Sequence, residues 1–199
     1  MKEDLKNRAS HALGYSIGAN LKQQGITELE IEAFAKGIVK FYAGQSLDTS
    51  PEETNALINE YITKLNAGAA KEASAAGMKF LAENANKAGI TVLASGLQYE
   101  VLTEGNGPKP SATDTVTTHY HGTLIDGTVF DSSVQRGTPA SFPVNGVIQG
   151  WVEALQLMPT GSKWRLFVPS DLAYGDRGAG PTIGPGTTLI FEVELISIN

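Results

Sequence analysis

The sequence predicts an α+β protein with an all-helical N-terminal domain, a long connecting α-helix, and a C-terminal antiparallel β-sheet wrapped around a short helix. Three observations support this fold class. Residues 1–90 contain 16 alanines and one proline, whereas residues 91–199 contain 6 alanines and 8 prolines. Apolar residues recur about four apart in the first part, as in amphipathic helices. In the second part they alternate with polar residues, as in strands with one buried face.

Two short helices are predicted first. One is indicated by apolar residues four apart that stop at Gly25: Leu5, Ala9, Leu13, Ile17 and Leu21. The next ends near Gly44 and carries Ile31, Phe34, Ala35, Ile38, Phe41 and Tyr42. With part of a third helix they form a thin core of roughly 65 residues, which is marginal for an independent domain. Their apolar faces are therefore expected to pack against a second copy of the chain.

A third, longer helix is predicted to begin at Pro51, with Ser50 as its N-cap and Glu53 closing a capping box. Residues 66–77 contain no large apolar side chain. Because a helix without an apolar face cannot be buried against a core, we interpret this part as an exposed rigid arm. A helix over about 51–87 would be on the order of 55 Å long. The predicted domains are thus residues 1–48, 49–90 and 91–199.

Strand signals fill the rest of the chain. Apolar and polar residues alternate over residues 97–101, 116–122, 164–168 and 188–198. Asp126-Gly127 between two apolar pairs predicts a hairpin turn. Only residues 147–158 have helical spacing. The economical arrangement is an antiparallel sheet with one wet face and one short helix laid across the dry face.

Composition excludes several classes of function. The net charge of −6 argues against a nucleic-acid or anionic-membrane partner, because no basic surplus exists to neutralise phosphates. The sequence has no apolar run long enough to span a bilayer and no signal-peptide pattern at its start, so a cytoplasmic location is expected. A periplasmic or secreted location is the alternative if the natural N-terminus was trimmed. The absence of cysteine excludes disulfides, thiolate zinc sites and thiol catalysis.

The glycine-rich segment GDRGAGPTIGPG, residues 175–186, resembles a phosphate-binding loop only superficially. A P-loop needs a lysine after its second glycine, where this chain has Pro181. A dinucleotide fingerprint needs a third glycine where Ile183 stands. We therefore do not expect nucleotide binding.

Few residues are candidates for acid–base or metal chemistry. His119 and His121 form an i, i+2 pair without a third ligand nearby in sequence, which favours two surface histidines over a metal site. Asp131 is either a general acid or base, or a structural residue that caps the turn through Ser132 and Ser133 or pairs with Arg136. The structural role is the favoured one.

Aromatic residues stand at the ends of several predicted segments: Tyr120, Phe130, Phe142, Trp151, Tyr174 and Phe191. Each alone is better explained as part of a core. Together, beside the glycine-rich segment, they can line an apolar pocket that has few polar groups.

Four long segments resemble the FKBP-type peptidyl-prolyl cis/trans isomerases: HYHGTLIDGTVFDSS, FPVNGVIQGWVEALQLM, GSKWRLFVPSDLAYG and TLIFEVEL. The resemblance covers about residues 95–198. The helical half resembles the dimeric members of the macrophage infectivity potentiator type, in which two protomers intertwine their N-terminal helices and a long helix carries each catalytic domain. Together these resemblances imply isomerisation of Xaa-Pro bonds in folding polypeptides. They also imply chaperone-like client binding by a V-shaped homodimer formed through residues 1–65. They further imply binding of macrolides such as tacrolimus or rapamycin, with no cofactor or metal.

By this resemblance, the catalytic positions are Tyr120, Phe130, Asp131, Tyr174 and Phe191. The substrate-binding positions are Arg136, Phe142, Val147, Ile148, Trp151 and Ile183, with Trp151 as the floor of the pocket. Residues 175–186 correspond to the flap over the pocket. Many members carry a histidine, two isoleucines and Pro-Pro there, whereas this chain has Ala179, Thr182, Ile183 and Gly184-Pro185. Substrate preference and macrolide affinity are therefore expected to differ.

Two other classes of function are compatible with the residues. A chaperone-like clamp would grip unfolded chains without isomerising them, and a small-molecule binding protein would use the same pocket. Turnover of an Xaa-Pro peptide separates the enzyme from the clamp.

Overall fold

The structure is a computed structural model that describes residues 2–199, with side chains from residue 4 onwards. Its five α-helices are α1 (Lys2–Gln23), α2 (Ile31–Tyr42), α3 (Pro51–Asn84), α4 (Ser133–Arg136) and α5 (Gln149–Leu157). Its strands are β1 (Ile90–Val92), β2 (Gln98–Thr103), β3 (Thr115–Leu124), β4 (Val129–Ser132), β5 (Ala140–Pro143), β6 (Lys163–Val168) and β7 (Leu189–Ile198). The predicted fold class, helices followed by an antiparallel sheet with a short helix, is confirmed. Among the described helices, none combines the length and apolarity that a membrane span requires.

The chain divides into two compact units, Met1–Gly68 and Ala69–Asn199. The division falls within α3, inside the segment predicted as a linker. In the first unit the predicted capping box is present: the Ser50 N–H donates to Glu53 Oε2 at 2.9 Å, and the Glu53 N–H donates to Ser50 Oγ at 3.2 Å. Tyr61 on α3 donates its hydroxyl to the Glu28 carbonyl at 2.6 Å, which ties the helix to the loop before α2.

In the second unit, the strands form one sheet in the order β1-β2-β6-β7-β3-β4, with β5 paired to β3, and all of its pairings are antiparallel. Helix α5 covers the dry face with Trp151, Ala154 and Leu155 buried. Gly150 allows a close approach, because a Cβ there would lie 2.6 Å from Val168 Cγ1 on β6. The core of this unit therefore lies between α5 and the central strands.

The hairpin predicted at Asp126-Gly127 is confirmed between β3 and β4. Asp126 Oδ1 accepts from the Thr128 N–H at 2.9 Å, and Gly127 has a φ of 87°. Helix α4, which follows β4, has no counterpart in the prediction. Ser132 caps it by accepting from the Gln135 N–H at 3.1 Å. A helix of one turn is too short to show a hydrophobic period.

The prediction that residues 66–77 form an exposed arm is wrong from residue 70 onwards. From Ala70 onwards α3 belongs to the second unit, where one of its faces packs against the segment around Gly186 and Thr188, and the contact is made by small residues. A Cβ on Gly77 would lie 2.2 Å from Thr188 Oγ1, and a Cβ on Gly186 would lie 2.4 Å from the Ala70 carbonyl oxygen. Small side chains let two backbones approach closely, so a helix face without large apolar residues can still be covered.

The end of α3 also covers part of the sheet face that was predicted to be wet. Phe167 on β6 is 5% exposed and packs against the ring of Phe80, with 6.0 Å between ring centroids. Beside it, the Asn84 side-chain amide donates to Gln98 Oε1 at 2.9 Å, and the Gln98 amide donates to the Leu81 carbonyl at 2.9 Å. This corner of the sheet is therefore buried on both faces.

Candidate functional site

A cavity of about 660 Å³ opens between β3, β4, α5 and the flap. Ten of the eleven predicted site residues line it: Tyr120, Phe130, Asp131, Phe142, Val147, Ile148, Trp151, Tyr174, Ile183 and Phe191. Arg136 does not line it. The cavity is further lined by Gly146, Ala179, Gly180, Pro181 and Thr182. The structure thus brings the aromatic residues together in one site, as the sequence predicts.

Trp151 on the first turn of α5 is 4% exposed, and three rings contact it edge-on. The centroid distances are 5.5 Å to Tyr120, 5.5 Å to Phe142 and 5.2 Å to Phe191. Edge-to-face contacts at this distance are favourable, because the positive edge of one ring meets the negative face of another. The indole is therefore held in place by its neighbours, which fixes the shape of the cavity.

Phe130 stands beside Phe191 in the same edge-to-face manner, with 5.4 Å between centroids. Gly122 on β3 makes room for it, since a Cβ there would lie 2.6 Å from Phe130 Cζ and 3.1 Å from Phe191 Cε1. Sequence reasoning did not identify Gly122. The only signal was a glycine within a strand, which often marks a close approach.

Asp131 is held at the cavity wall by two partners. Tyr120 donates its hydroxyl to Asp131 Oδ2 at 2.5 Å, and Arg136 Nη1 forms an ion pair with Oδ1. Arg136 Nη2 also donates to the Tyr120 hydroxyl at 2.9 Å. Of the structural roles considered for Asp131, the pairing with Arg136 is confirmed, while the cap of α4 is Ser132. Arg136 thus contacts the site through Asp131 and Tyr120.

These contacts set the charge of the site. Burial disfavours the charge on Asp131, but the hydrogen bonds from Tyr120 and Arg136 outweigh it and hold the pKa of Asp131 below its ordinary value. Burial also raises the pKa of Tyr120, and its hydrogen bond to Asp131 adds to the effect. At neutral pH the site therefore holds a carboxylate and a protonated phenol.

The flap is a small closed loop. The Ala179 N–H donates to the Ile183 carbonyl at 2.8 Å, the Ile183 N–H returns a bond to Ala179 at 3.2 Å, and the Gly186 N–H donates to Gly175 at 2.9 Å. These bonds occupy amides that a phosphate-binding loop would need free. Gly178 has a φ of 65°, a conformation that glycine adopts without strain. The loop buries Ile183 at 7% exposure against the core.

The two histidines lie behind the cavity on β3. His119 Nδ1 is 3.0 Å from Ser133 Oγ, and His121 Nδ1 is 2.9 Å from Ser132 Oγ. Both residues are half-buried. Their serine partners tie β3 to the start of α4.

An aromatic cavity with a carboxylate and two phenols at its wall suits an apolar ring attached to a polar backbone, as in a proline-containing peptide. With the sheet wrapped around one helix, the site defines the class as a peptidyl-prolyl isomerase. Family models agree: "FKBP-type peptidyl-prolyl cis-trans isomerase" matches residues 107–196, and "Domain amino terminal to FKBP-type peptidyl-prolyl isomerase" matches residues 6–101. The chain belongs to the FKBP-type peptidyl-prolyl cis-trans isomerase family, and it is an enzyme of that type.

Individual relatives match along nearly the whole chain. The FKBP-type 22 kDa peptidyl-prolyl cis-trans isomerase of Escherichia coli K12 is 46% identical over 98% of this chain and 97% of its own. The outer membrane protein MIP of Legionella longbeachae is 46% identical over 98% of this chain and 86% of its own. The crystal structure of FkpA from E. coli superposes with a TM-score of 0.71 at 33% identity, covering 96% of this chain and 95% of that one.

Proposed function

We propose that the chain accelerates rotation about Xaa-Pro bonds in folding polypeptides by taking the proline amide out of water into the aromatic cavity. The observation that carries this proposal is the enclosure of Trp151 by the three rings of Tyr120, Phe142 and Phe191. Such a floor accepts the pyrrolidine ring, while the carboxylate of Asp131 and the flap border the space for the peptide backbone.

Desolvation can lower this barrier without a nucleophile or a metal. Resonance makes a planar amide polar and gives it a rotational barrier of ~18–20 kcal/mol. The twisted amide has lost that resonance and is less polar, so transfer from water to an apolar cavity disfavours the planar ground state more. A thousandfold gain over the uncatalysed exchange of ~10–100 s needs only about 4 kcal/mol of differential stabilisation.

Polar groups at the cavity wall orient the substrate in this proposal. The Tyr174 hydroxyl, on a side chain that is 40% exposed, donates to a substrate carbonyl. A second donor is the backbone of Ile148, the N-cap residue of α5, where N–H groups lack intrahelical partners. Asp131 places its negative charge beside the rotating amide, and Arg136 holds that carboxylate in position. Proline-containing unfolded or partly folded polypeptides are the proposed substrates.

The same cavity is proposed to bind macrolides such as tacrolimus or rapamycin. The flap is proposed to contribute less apolar contact than in family members that carry two isoleucines there. Ile183 is its buried apolar contact, whereas Ala179 and Thr182 present smaller or more polar surfaces. The cytoplasmic location stays a prediction from the sequence.

We further propose that residues 1–65 form a homodimer that binds clients as a chaperone. None of the side chains described between residues 4 and 68 is fully buried, although the helices carry apolar faces. Phe41 is 78% exposed and Tyr42 is 85% exposed, and both border a groove of about 1110 Å³ that also includes Leu13, Ile17 and Ile38. A second copy would cover these faces, because each protomer presents the same unburied surface.

Replacing Phe41 with glutamate should therefore convert the dimer to a monomer, since the new charge would be buried in the interface without a partner. Sedimentation of the full chain measures this directly. In a protease-coupled assay the variant should keep the peptide turnover of the wild type, because the cavity lies in the other unit. Its suppression of aggregation should fall, because two linked sites raise the effective concentration on a long client.

Asn55→Glu is the matched control, since it adds the same charge to an exposed position of α3 outside the groove. It should remain dimeric. A Phe41→Glu chain that sediments like the wild type would contradict the proposed interface. Aggregation suppression by a wild-type chain that turns over no Xaa-Pro peptide would instead favour the clamp.

A further inference from the structure

The C-terminal half of α3 contacts the polypeptide that anchors the flap, and nothing in the isomerase mechanism above uses this contact. Gly77 and Thr188 face each other so closely that a Cβ on Gly77 would lie 2.2 Å from Thr188 Oγ1 and 3.0 Å from Thr188 Cβ. About two turns earlier in the helix, the Ala70 carbonyl lies against Gly186. Both Gly186 and Thr188 are buried.

These contacts are made by residues that are close in sequence to Ile183, a residue that lines the cavity. Gly186 is the last residue of the flap, and its N–H closes the loop by donating to Gly175 at 2.9 Å. Next to it, the Thr187 hydroxyl donates to the Gly184 carbonyl at 2.7 Å. Ile183, three residues before Gly186, lines the cavity. A shift of the helix would therefore move the base of the flap and, with it, the Ile183 side chain that the flap contributes to the cavity.

The helix is also fixed at its far end, which makes it a rigid support. Phe80 packs on Phe167, and Asn84 is hydrogen-bonded to Gln98 in a buried position. The helix is thus anchored to β2 and β6, strands that do not line the cavity, and Ala70, which meets the flap at Gly186, lies on an earlier turn. Helices transmit displacement well because their backbone hydrogen bonds resist bending.

We propose that residues 70–77 of α3 position the flap, so that Gly77 and Thr188 are positioning residues of the isomerase. Docking of the helix and closing of the flap on a ligand are then linked equilibria, and linkage is reciprocal. A bound peptide stabilises the docked helix to the same degree that the docked helix strengthens peptide binding. This inference uses the membership in the isomerase family and does not depend on the desolvation mechanism.

Gly77→Ala tests the proposal in the full-length chain. The added Cβ would lie 2.2 Å from Thr188 Oγ1, so the helix and Thr188 must move apart by roughly 1 Å to admit the methyl group. We expect KM for an Xaa-Pro peptide to rise about threefold to tenfold with kcat nearly unchanged, a typical size for coupling between linked groups. Amide hydrogen exchange at Ala179 and Ile183 should become faster, because the flap opens more often.

A matched control and a double-mutant cycle accompany Gly77→Ala. Gly68→Ala makes the same substitution in the same helix where a Cβ would meet nothing within 4 Å, so its KM and flap exchange should match the wild type. Thr188→Ala removes the hydroxyl that the new methyl group would strike. The double variant Gly77→Ala/Thr188→Ala should therefore recover most of the KM and flap exchange of Thr188→Ala alone, because only the 3.0 Å approach to the Cβ of residue 188 remains.

Phe80→Ala is a test that does not depend on the glycine, in case Gly77→Ala does not fold. Phe80→Ala loosens the helix at its anchor, because it removes the ring contact with Phe167. It should also speed exchange in the flap, and saturating Xaa-Pro peptide should slow exchange of the amides in residues 70–77 of the wild type. Faster exchange in the helix of either variant with unchanged exchange in the flap would overturn the proposal. The proposal would also be overturned if the increase in KM of the double variant equalled the product of the increases in the two single variants, because Gly77 and Thr188 would then act independently.

Discussion

Replacing Phe130 with alanine should lower kcat/KM for an Xaa-Pro peptide about tenfold to a hundredfold, which corresponds to roughly 1.4–2.7 kcal/mol of lost transition-state stabilisation. Phe130 forms one wall of the cavity and contacts Phe191 with 5.4 Å between ring centroids. Its removal admits water to the amide and frees the Phe191 ring, so the planar amide is no longer disfavoured. A protease-coupled assay by stopped flow measures the change.

Val129→Ala is the control for this experiment. Val129 is the neighbouring residue of β4, is 39% exposed and does not line the cavity. Its kcat/KM should stay within about twofold of the wild type, as for most surface substitutions. A Phe130→Ala enzyme with wild-type turnover would mean that the ring is dispensable and that desolvation by this wall is not the source of catalysis.

Replacing Leu166 with alanine should reduce the free energy of unfolding of the second unit by about 2.7–5 kcal/mol, the range for buried leucines. Leu166 is 0% exposed on β6, where it pairs with Tyr99 on β2 and Phe191 on β7. Urea unfolding followed by tryptophan fluorescence reports on this unit, since both Trp151 and Trp164 belong to it. The lost side chain leaves a cavity that the paired strands cannot close.

Leu102→Ala removes the same side chain from a strand position that is 36% exposed, and it should cost less than about 1 kcal/mol. The difference between the two variants measures the burial of the dry face. Equal effects of the two substitutions would show that Leu166 does not lie in a closed core.

Local signals in the sequence predicted the local structure well. The capping box at Ser50 and the turn at Gly127 depend on a few neighbouring residues, and both are present as predicted. The strands with one buried face, such as β7, were equally visible from their alternation. The clustering of aromatic residues around Trp151 depended on the resemblance to a family, because the sequence order of single rings does not show which of them meet.

Contacts between distant segments were harder to predict. The face of α3 that meets Gly186 and Thr188 consists of small residues, and hydrophobic periodicity does not detect a face whose packing depends on close backbone approach. For the same reason the burial of Gln98 and Phe167 was missed, since both lie on strand positions that alternation assigns to solvent. Glycine in an otherwise regular helix or strand was the available signal, at Gly77 and at Gly122.

The solvent deuterium isotope effect on kcat/KM for an Xaa-Pro peptide tests the central claim most directly. Near neutral pH, Asp131 is ionised and Tyr120 is protonated, because the pKa of Asp131 is held below and that of Tyr120 above its ordinary value. The desolvation account requires neither group to exchange a proton during turnover. If the cavity acts by desolvating the amide, the ratio of rates in H2O and D2O should be about 1. A ratio of about 2 or more would show that proton transfer limits the reaction, and it would contradict the account.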